Sequence, residues 1–324
     1  MRLVFFGTGL FAVPSLRALA GCCEVVRVVS QPDRPAGRGR KMVATAVRQA
    51  ADRLGLGGVV MAPEDVNAVE VVEGLRLLGA DLGVVVAYGQ KIGSAVRGCF
   101  VHGCVNLHGS VLPKLRGAGP VQWTILNGET QAGVSVFSLV DAMDAGPVLL
   151  TERTAVLAGE RSDELHDRLA ELGAGALVRA VELIGTGAAV FVEQDASGVT
   201  RARKLKRSDS SVDPGETAEL VDRKVRGLWP WPGAVLDFCC GERVERLTVA
   251  RSEVFSGSGA VAEQIAAACV GALVLGEYVR CGEGALRLVE VQPAGRRVMR
   301  WKEYCNGRQI GPGTAGEFRR VEEV

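Results

Sequence analysis

The amino-acid sequence predicts an α/β protein in which an N-terminal Rossmann-like open sheet domain is followed by a C-terminal OB-like β-barrel domain. The first half alternates short apolar runs, typical of buried parallel strands, with amphipathic runs of helical period. The last third is dominated by short strand-like runs separated by turns. A length of 324 residues also suits two domains, because about 150 residues is a usual domain size.

The N-terminal half begins with a strand-like run over residues 2–6, which ends at Gly7. The predicted elements that follow are helix 11–19, strand 24–30, helix 44–54, strand 59–62, helix 66–78, strand 81–87, strand 104–108, helix 120–126, strands 134–140 and 148–156, and helix 161–184. This alternation predicts parallel strands with helices on both faces of the sheet.

The C-terminal third has a different character. Helix 217–228 ends at a Trp-Pro-Trp-Pro-Gly run, and strand-like runs follow at 234–238, 244–250, 271–275 and 285–291. An OB-like barrel fits strands of this number and length. Because the composition changes near residue 186, we expect a first domain over 1–188, a linker over 189–207 and a second domain over 208–324.

Charge, cysteine use and hydropathy exclude several classes of protein. The formal net charge of +1 gives no strong overall field for nucleic acid, so any basic surface must be local, in residues 31–42 or 201–207. The nine cysteines show no zinc-ligand spacing, which favours reduced thiols, no bound metal and a cytoplasmic location. No apolar run reaches the roughly 20 residues that span a bilayer. We therefore expect a cytoplasmic protein that does not bind membranes, and we separately expect it to be a monomer.

Gly7, Gly9 and Ala12 fit a Gly-x-Gly-x-x-Ala turn between the first strand and the first helix. In Rossmann folds such a turn holds a pyrophosphate, and Asp33 lies near where a ribose-binding acid would fall. Any α/β sheet also needs glycine where its first strand turns tightly into a helix. The motif alone therefore supports dinucleotide binding only weakly.

Asn106 and His108 stand two residues apart at the end of predicted strand 104–108. Side chains two apart on a strand share one face, and open α/β sheets bind ligands at the carboxyl ends of their strands. An amide can donate to a developing oxyanion, and an imidazole exchanges protons near neutral pH. The pair therefore predicts an acyl-transfer site, with a histidine bound to a loop for structural reasons as the alternative.

Asp144 lies in the turn-rich segment 141–147 after predicted strand 134–140. If this strand ran parallel to its neighbours, the turn would lie near the same sheet edge, where a carboxylate could orient His108 or relay a proton through water. The alternative is turn chemistry, since Asp and Gly favour such bends. A covalent nucleophile is not indicated, because the sequence holds no Gly-x-Ser-x-Gly elbow and no cysteine in an electropositive helix-start context.

These residues resemble a known family. Asn106-x-His108, the following Ser110–Pro113 segment, the Arg-Gly-Ala run at 116–118 and Asp144 are similar to motifs of the formyltransferases that use 10-formyltetrahydrofolate as formyl donor. The resemblance implies that Asn106, His108 and Asp144 form the catalytic trio, without a metal. It also implies that a four-residue segment contacts the folate: Ser110, Val111, Leu112 and Pro113.

Residues 6–14, 31–39, 230–234 and 291–293 are similar to the branch of that family that formylates initiator methionyl-tRNA. This resemblance implies tRNA contacts from the basic side chains Arg34, Arg38, Arg40 and Lys41 in the early loop and Lys204 in the linker. OB-like barrels commonly bind nucleic acid, so the C-terminal domain is expected to add a basic surface. Its candidate residues are Arg296, Arg297, Arg300 and Lys302.

Departures from the family pattern are local: Gly109, Val111, Leu115, Pro214 and Trp229 differ from the usual residues. Three other functions remain open, namely formylation of a small amine such as a purine precursor or an amino sugar, a nicotinamide-dependent oxidoreductase, and an inert RNA-binding protein. The small-amine enzymes lack the Pro-Asp-Arg-Pro loop, the oxidoreductase leaves segment 106–113 unexplained, and an intact trio argues against an inert protein.

Overall fold

The structure is a computed structural model that describes residues 1–36 and 41–322. The chain forms two compact units. The first comprises Met1–Pro120, Gln131–Ala155 and His166–Arg203, and the second comprises Val121–Thr130, Val156–Leu165 and the residues from Lys204 onward. Each unit has its own sheet and its own apolar core.

The described residues of the first unit contain nine strands. They are β1 (Arg2–Gly7), β2 (Glu24–Val29), β3 (Arg34–Ala36), β4 (Lys41–Val43), β5 (Val60–Met61), β6 (Leu82–Val86), β7 (Cys104–His108), β8 (Gln131–Ser138) and β9 (Val148–Ala155). Seven of them form one sheet in the order β5-β2-β1-β6-β7-β8-β9. All of β6, and β1 from Leu3 onward, are buried, as apolar central strands require.

Six α-helices occur in the described residues up to 203. They are α1 (Val13–Ala20), α2 (Ala46–Arg53), α3 (Val69–Leu77), α4 (Ser94–Arg97), α5 (Pro120–Leu126) and α6 (Ser162–Gly185). Thr45 caps α2, because its hydroxyl accepts the backbone N–H of Arg48 at 3.1 Å. The predicted helices 44–54, 66–78, 120–126 and 161–184 are confirmed to within three residues at each end.

The expectation of a parallel sheet is wrong for its last two strands. The five strands from β5 to β7 run parallel, whereas β8 is antiparallel to β7 and β9 is antiparallel to β8. A parallel strand needs a crossover that packs on the sheet and returns the chain to the opposite edge. Between β7 and β8 the chain instead leaves the first unit at Pro120 and re-enters it at Gln131, and β8 then runs in the opposite direction.

The segment expected to be a basic loop, residues 31–42, contains the antiparallel pair β3 and β4. Arg34 lies opposite Val43, and Ala36 lies opposite Lys41. Arg34 and Lys41 are both exposed. The predicted tRNA-binding residues Arg38 and Arg40 lie outside the described residues.

The second unit contains a separate antiparallel sheet. From Lys204 onward the described α-helices and strands are α7 (Ala218–Leu228), β10 (Ala234–Cys240), β11 (Arg243–Val254), α8 (Ala260–Ala267), β12 (Leu273–Val274), β13 (Tyr278–Arg280), β14 (Ala285–Pro293), β15 (Met299–Arg300), α9 (Trp301–Asn306) and β16 (Glu317–Arg320). The sheet order is β12-β13-β14-β11-β10-β16, with β15 beside β14. A closed barrel is not found in this part of the described chain, so the OB-like barrel is not confirmed.

Within the ranges 1–36 and 41–322, no helix combines the length and the apolar character that crossing a membrane would require.

Candidate active site

Strand β7 carries the first two residues of the predicted trio. Asn106 lies opposite Phe137 of β8, and His108 lies opposite Ser135, so both occupy alternate positions of the same strand. Side chains at alternate positions share a face of the sheet. His108 is buried, while Asn106 is partly exposed and its side-chain amide makes no hydrogen bond with any described residue. The amide is therefore available to a ligand.

The main chain fixes the orientation of the His108 ring. Its Nε2 lies 2.9 Å from the carbonyl oxygen of Leu115. A carbonyl oxygen only accepts hydrogen bonds, so Nε2 carries the proton and donates it. In the neutral ring the lone pair then lies on Nδ1. Leu115 turns its carbonyl toward the ring from a left-handed backbone conformation, with φ of 59°.

Asp144 lies on the Nδ1 side of the ring. Its Oδ2 is 3.9 Å from Nδ1 of His108, and the two side chains are only 15% and 7% exposed. The same Oδ2 accepts the backbone N–H of Gly117 at 2.7 Å. A separation of 3.9 Å is too long for a direct hydrogen bond, but it leaves a proton path through one water or a small movement of the loop. The arrangement can therefore take up and release a proton next to Asn106.

Asp144 reaches this position by a different route from the one expected. Because β8 is antiparallel to β7, its last residue, Ser138, lies opposite Val105, and the loop that follows must fold back toward His108. Gly146 permits the fold, since a Cβ at this residue would lie 1.7 Å from the carbonyl oxygen of Ser138. Asp144 itself has φ of 52°, a left-handed conformation that aspartate tolerates better than most residues.

The predicted folate segment, Ser110–Pro113, forms a ledge directly after β7 that several hydrogen bonds hold in place. The Ser110 hydroxyl donates to the carbonyl of Lys114 at 2.6 Å. Ser135 of β8 donates to the Ser110 carbonyl at 2.8 Å and accepts the Leu112 N–H at 3.1 Å. Leu112 is buried, whereas Val111 and Pro113 keep partly exposed side chains. The Ser110 hydroxyl and carbonyl and the Leu112 N–H are thus bonded to Lys114 and Ser135, and the exposed surface comes from Val111 and Pro113.

The structure gives a packing reason for the first glycine of the Gly-x-Gly-x-x-Ala turn. A Cβ on Gly7 would lie 2.7 Å from the Phe5 ring and 3.0 Å from the Cβ of Ala12. Asp33 forms an ion pair with Arg48, with its Oδ2 3.3 Å from Nη1. Sheet packing therefore accounts for Gly7 without a bound dinucleotide, whereas a Cβ at Gly9 would meet no atom within 4 Å.

Three of the predicted tRNA-contacting residues, Arg34, Lys41 and Lys204, are exposed. Arg34 lies 3.6 Å from the carboxylate of Glu64 in an exposed ion pair, and Lys204 is exposed in the second unit. No group of three or more residues with metal-ligating side chains is found among residues 1–36 and 41–322.

Comparison with known proteins decides the family. A family model described as formyl transferase matches residues 1–181, and one described as formyl transferase, C-terminal domain, matches residues 204–309. The chain is 43% identical over 313 residues to the methionyl-tRNA formyltransferase of Halorhodospira halophila (strain DSM 244 / SL1), covering 96% of this chain and 98% of the relative. It is 38% identical over 315 residues to that of Methylobacterium sp. (strain 4-46), covering 97% and 98%. The chain belongs to the methionyl-tRNA formyltransferase family.

The family that the residues resembled is thereby confirmed. Among solved structures, HypX from Aquifex aeolicus in complex with tetrahydrofolic acid has a TM-score of 0.61 at 17% identity, covering 94% of this chain and 47% of that one. At this identity the likeness shows the formyltransferase fold alone.

Several groups at the site could not be found from the sequence of this family member. Leu115 and Gly117 act through main-chain atoms, and Ser135 acts from the strand opposite His108. Gln194 is hydrogen-bonded to the Asp144 loop, although its surroundings in the sequence predict an exposed connector. The glycine at 117 is a sequence signal for an unusual backbone conformation at this point, and its φ is 125°.

Proposed function

We propose that this protein transfers the formyl group of 10-formyltetrahydrofolate to the free α-amino group of initiator methionyl-tRNA, giving N-formylmethionyl-tRNA for translation initiation. The observation that carries the proposal is the pairing of Asn106 and His108 on one face of β7 with the Asp144 carboxylate 3.9 Å from the imidazole. The names of the full-length relatives support the choice of tRNA over a small amine as acceptor.

The chemistry follows from the positions of the three side chains. The amine lone pair forms a bond to the formyl carbon, and the carbonyl electrons move onto oxygen, where the Asn106 amide donates to the oxyanion. The attacking nitrogen loses a proton to the His108–Asp144 pair, directly or through water. The carbonyl then re-forms, the bond to N10 of the folate breaks, and N10 takes a proton from the same pair. The products are formylated methionyl-tRNA and tetrahydrofolate.

The folate is proposed to lie against the Ser110–Pro113 ledge. Val111 and Pro113 offer apolar surface there, while the hydrogen bonds of Ser110 and Leu112 to neighbouring protein groups hold the ledge in one conformation. A preformed surface lowers the cost of ordering the site when the ligand binds. No metal has a role in this mechanism.

For the tRNA, we propose contacts from Arg34, Arg38, Arg40 and Lys41 and from Lys204. Exposed cations bind phosphate and release counterions, which makes such binding depend on salt. Charge reversal at Arg38 is expected to raise KM for tRNA and to leave folate affinity unchanged. A loss of folate affinity instead would contradict this placement of the loop.

The C-terminal region is proposed to be an OB-like module that adds to the tRNA surface. An isolated antiparallel bridge joins Ala272, just before β12, to Glu317 of β16, and these strands stand at opposite ends of the sheet order. The proposed domain boundaries are 1–188 and 208–324 with a linker between them. A cytoplasmic monomer is also proposed, and the free state of all the cysteines supports a reducing compartment.

Formyl transfer is tested with 10-formyltetrahydrofolate carrying a labelled formyl group. Initiator methionyl-tRNA is expected to become labelled, whereas glycinamide ribonucleotide and nucleotide-linked amino sugars are not. Transfer to a small amine alone would overturn the proposal. Asn106→Ala is expected to lower kcat by roughly 10²–10³ with little change in folate affinity, because it removes one oxyanion donor. Unchanged activity would exclude Asn106 from this role.

A further inference from the structure

The side-chain amide of Gln194 joins two loops of the candidate site. Its Oε1 accepts hydrogen bonds from Nε and Nη2 of Arg116, at 3.1 and 2.8 Å. Its Nε2 donates to the carbonyl oxygens of Asp144 and Gly146, at 2.9 and 2.7 Å. Guanidinium groups only donate and carbonyl oxygens only accept, so these partners fix which end of the amide is oxygen. Both donors and both acceptor positions of the amide are used on protein groups.

One of the two loops holds the catalytic imidazole and carboxylate through its main chain. On either side of Arg116, the Leu115 carbonyl accepts from His108 and the Gly117 N–H donates to Asp144. Gln194 fixes the Arg116 side chain between them. The other loop carries Asp144 itself, and Gln194 holds it by two carbonyl groups within three residues.

The chain that follows Gln194 also holds the first of these loops. The N–H of Arg116 donates to the Thr200 carbonyl at 2.9 Å, and the Ala202 N–H donates to the Arg116 carbonyl at 2.8 Å. The Thr200 hydroxyl accepts the Leu115 N–H at 2.8 Å. Residues 194–202 therefore hold the backbone of the loop around Arg116 by hydrogen bonds, and Gln194 also bonds the loop that carries Asp144.

We propose that Gln194 is a positioning residue that sets the place of the Asp144 carboxylate relative to the His108 ring. Gln194 has no described contact with the ring, so it acts through Asp144 and Arg116. The effect on the rate rests on the proposed formyl transfer, whereas the effect on the ring does not. Since an error of about 1 Å in a catalytic group can cost 10²-fold in rate, a residue that fixes two loops can control kcat without touching substrate.

Gln194→Glu is the most informative variant. A carboxylate still accepts from Arg116, and does so more strongly because both groups are charged. It cannot donate, however, and its charge repels the carbonyl oxygens of Asp144 and Gly146. Gln194→Ala removes the hydrogen bonds of both the amide oxygen and the amide nitrogen without this repulsion, and it replaces the first variant in the test if that variant fails to fold. Glu193→Ala is the matched control, because Glu193 is the exposed neighbour in the same segment.

We expect kcat for formyl transfer to fall about 10- to 100-fold in both Gln194 variants, with KM for folate and for tRNA within about twofold of wild type. The control should match wild type. A merely structural role would lower the thermal midpoint or raise both KM values without this selective fall in kcat. A variant that folds normally and keeps its kcat would overturn the proposal.

A second measurement needs no substrate. The chain has three histidines, so ¹⁵N resonances of the imidazole rings can be assigned with a His108→Gln variant. Ring nitrogen shifts report the tautomer and its hydrogen bonds. The His108 shifts should change in the Gln194 variants, while those of His102 and His166 stay constant. Unchanged His108 shifts in a folded variant would contradict the role of Gln194. A wild-type protein that shows no formyl transfer would contradict only the proposed function.

Discussion

Replacing Asp144 by asparagine and by alanine separates the chemistry of its carboxylate from its part in holding the loop. Asp144 accepts the Gly117 N–H at 2.7 Å and has φ of 52°. Asparagine keeps an acceptor oxygen for that N–H and adopts the left-handed conformation readily, because its short polar side chain bonds locally. Alanine supplies no acceptor and fits this conformation poorly.

The expected magnitudes follow from these two contacts. Alanine leaves a partly buried N–H without its acceptor, which costs about 1–3 kcal/mol, and adds roughly 1 kcal/mol for the left-handed backbone. We therefore expect the free energy of unfolding to fall by about 2–4 kcal/mol for alanine and by less than about 1 kcal/mol for asparagine. Both variants lack the carboxylate, so both should lose about 10²–10⁴ in the rate of formyl transfer.

Single-turnover formyl transfer, quenched on the millisecond scale, measures the chemical step apart from binding and product release. Urea titration of the same preparations measures stability. The reasoning would be refuted by an asparagine variant within tenfold of the wild-type rate, since the carboxylate would then be dispensable. Equal stability of the two variants would refute the account of the Gly117 contact.

Three further predictions concern the loop, the second unit and a core thiol. Gly146→Ala should lower kcat about tenfold or more, because its new methyl group would meet the Ser138 carbonyl and move the loop that carries Asp144. A wild-type rate of formyl transfer would contradict this prediction, since it would show that the loop accommodates the methyl group. Hydrogen bonds from Arg308 hold the pKa of the Glu245 carboxyl below its usual value. They therefore contribute roughly 1 kcal/mol of stability above about pH 4.3, the usual pKa of glutamate. This stability is lost as the pH falls through the lower pKa of the folded state. Glu245→Gln should therefore destabilise the protein at pH 7 but not near pH 2, and an equal deficit at both values would contradict the ion pair. Burial raises the pKa of Cys104 to about 12, so at pH 8 iodoacetamide should label the exposed thiols and leave Cys104 unmodified until unfolding, as read by mass spectrometry.

The strand positions of the site were the most predictable part of the fold. Asn106 and His108 end an apolar run, and the two-residue period of a strand is a local property of the chain. Helix α6 was equally clear, because 24 residues of amphipathic period leave little ambiguity. Helices α8 and α9 were missed, since eight and six residues give too short a period to stand out from the strands beside them.

The direction of β8 could not be predicted in the same way. Strand direction depends on where the preceding connection delivers the chain, and the excursion of residues 121–130 into the second unit leaves no local signal. The proximity of Asp144 to His108 was expected from parallel strands, and the structure produces it by a folded-back loop instead. The contacts of Gln194 join residues 48–78 positions apart, which no local pattern reveals.

The hydrogen bond from the His108 ring to the peptide carbonyl of Leu115 has a consequence for how residue 115 can change in evolution. Position 115 carries a buried leucine, yet the atom that faces Nε2 is a main-chain oxygen, which every amino acid has. Selection at this position can therefore act on the backbone shape that turns the oxygen toward the ring, as well as on the packing of the buried side chain. Substitutions at residue 115 are then expected to cost activity when they disturb this left-handed conformation, as a β-branched residue would, although the side chain takes no part in the contact with Nε2.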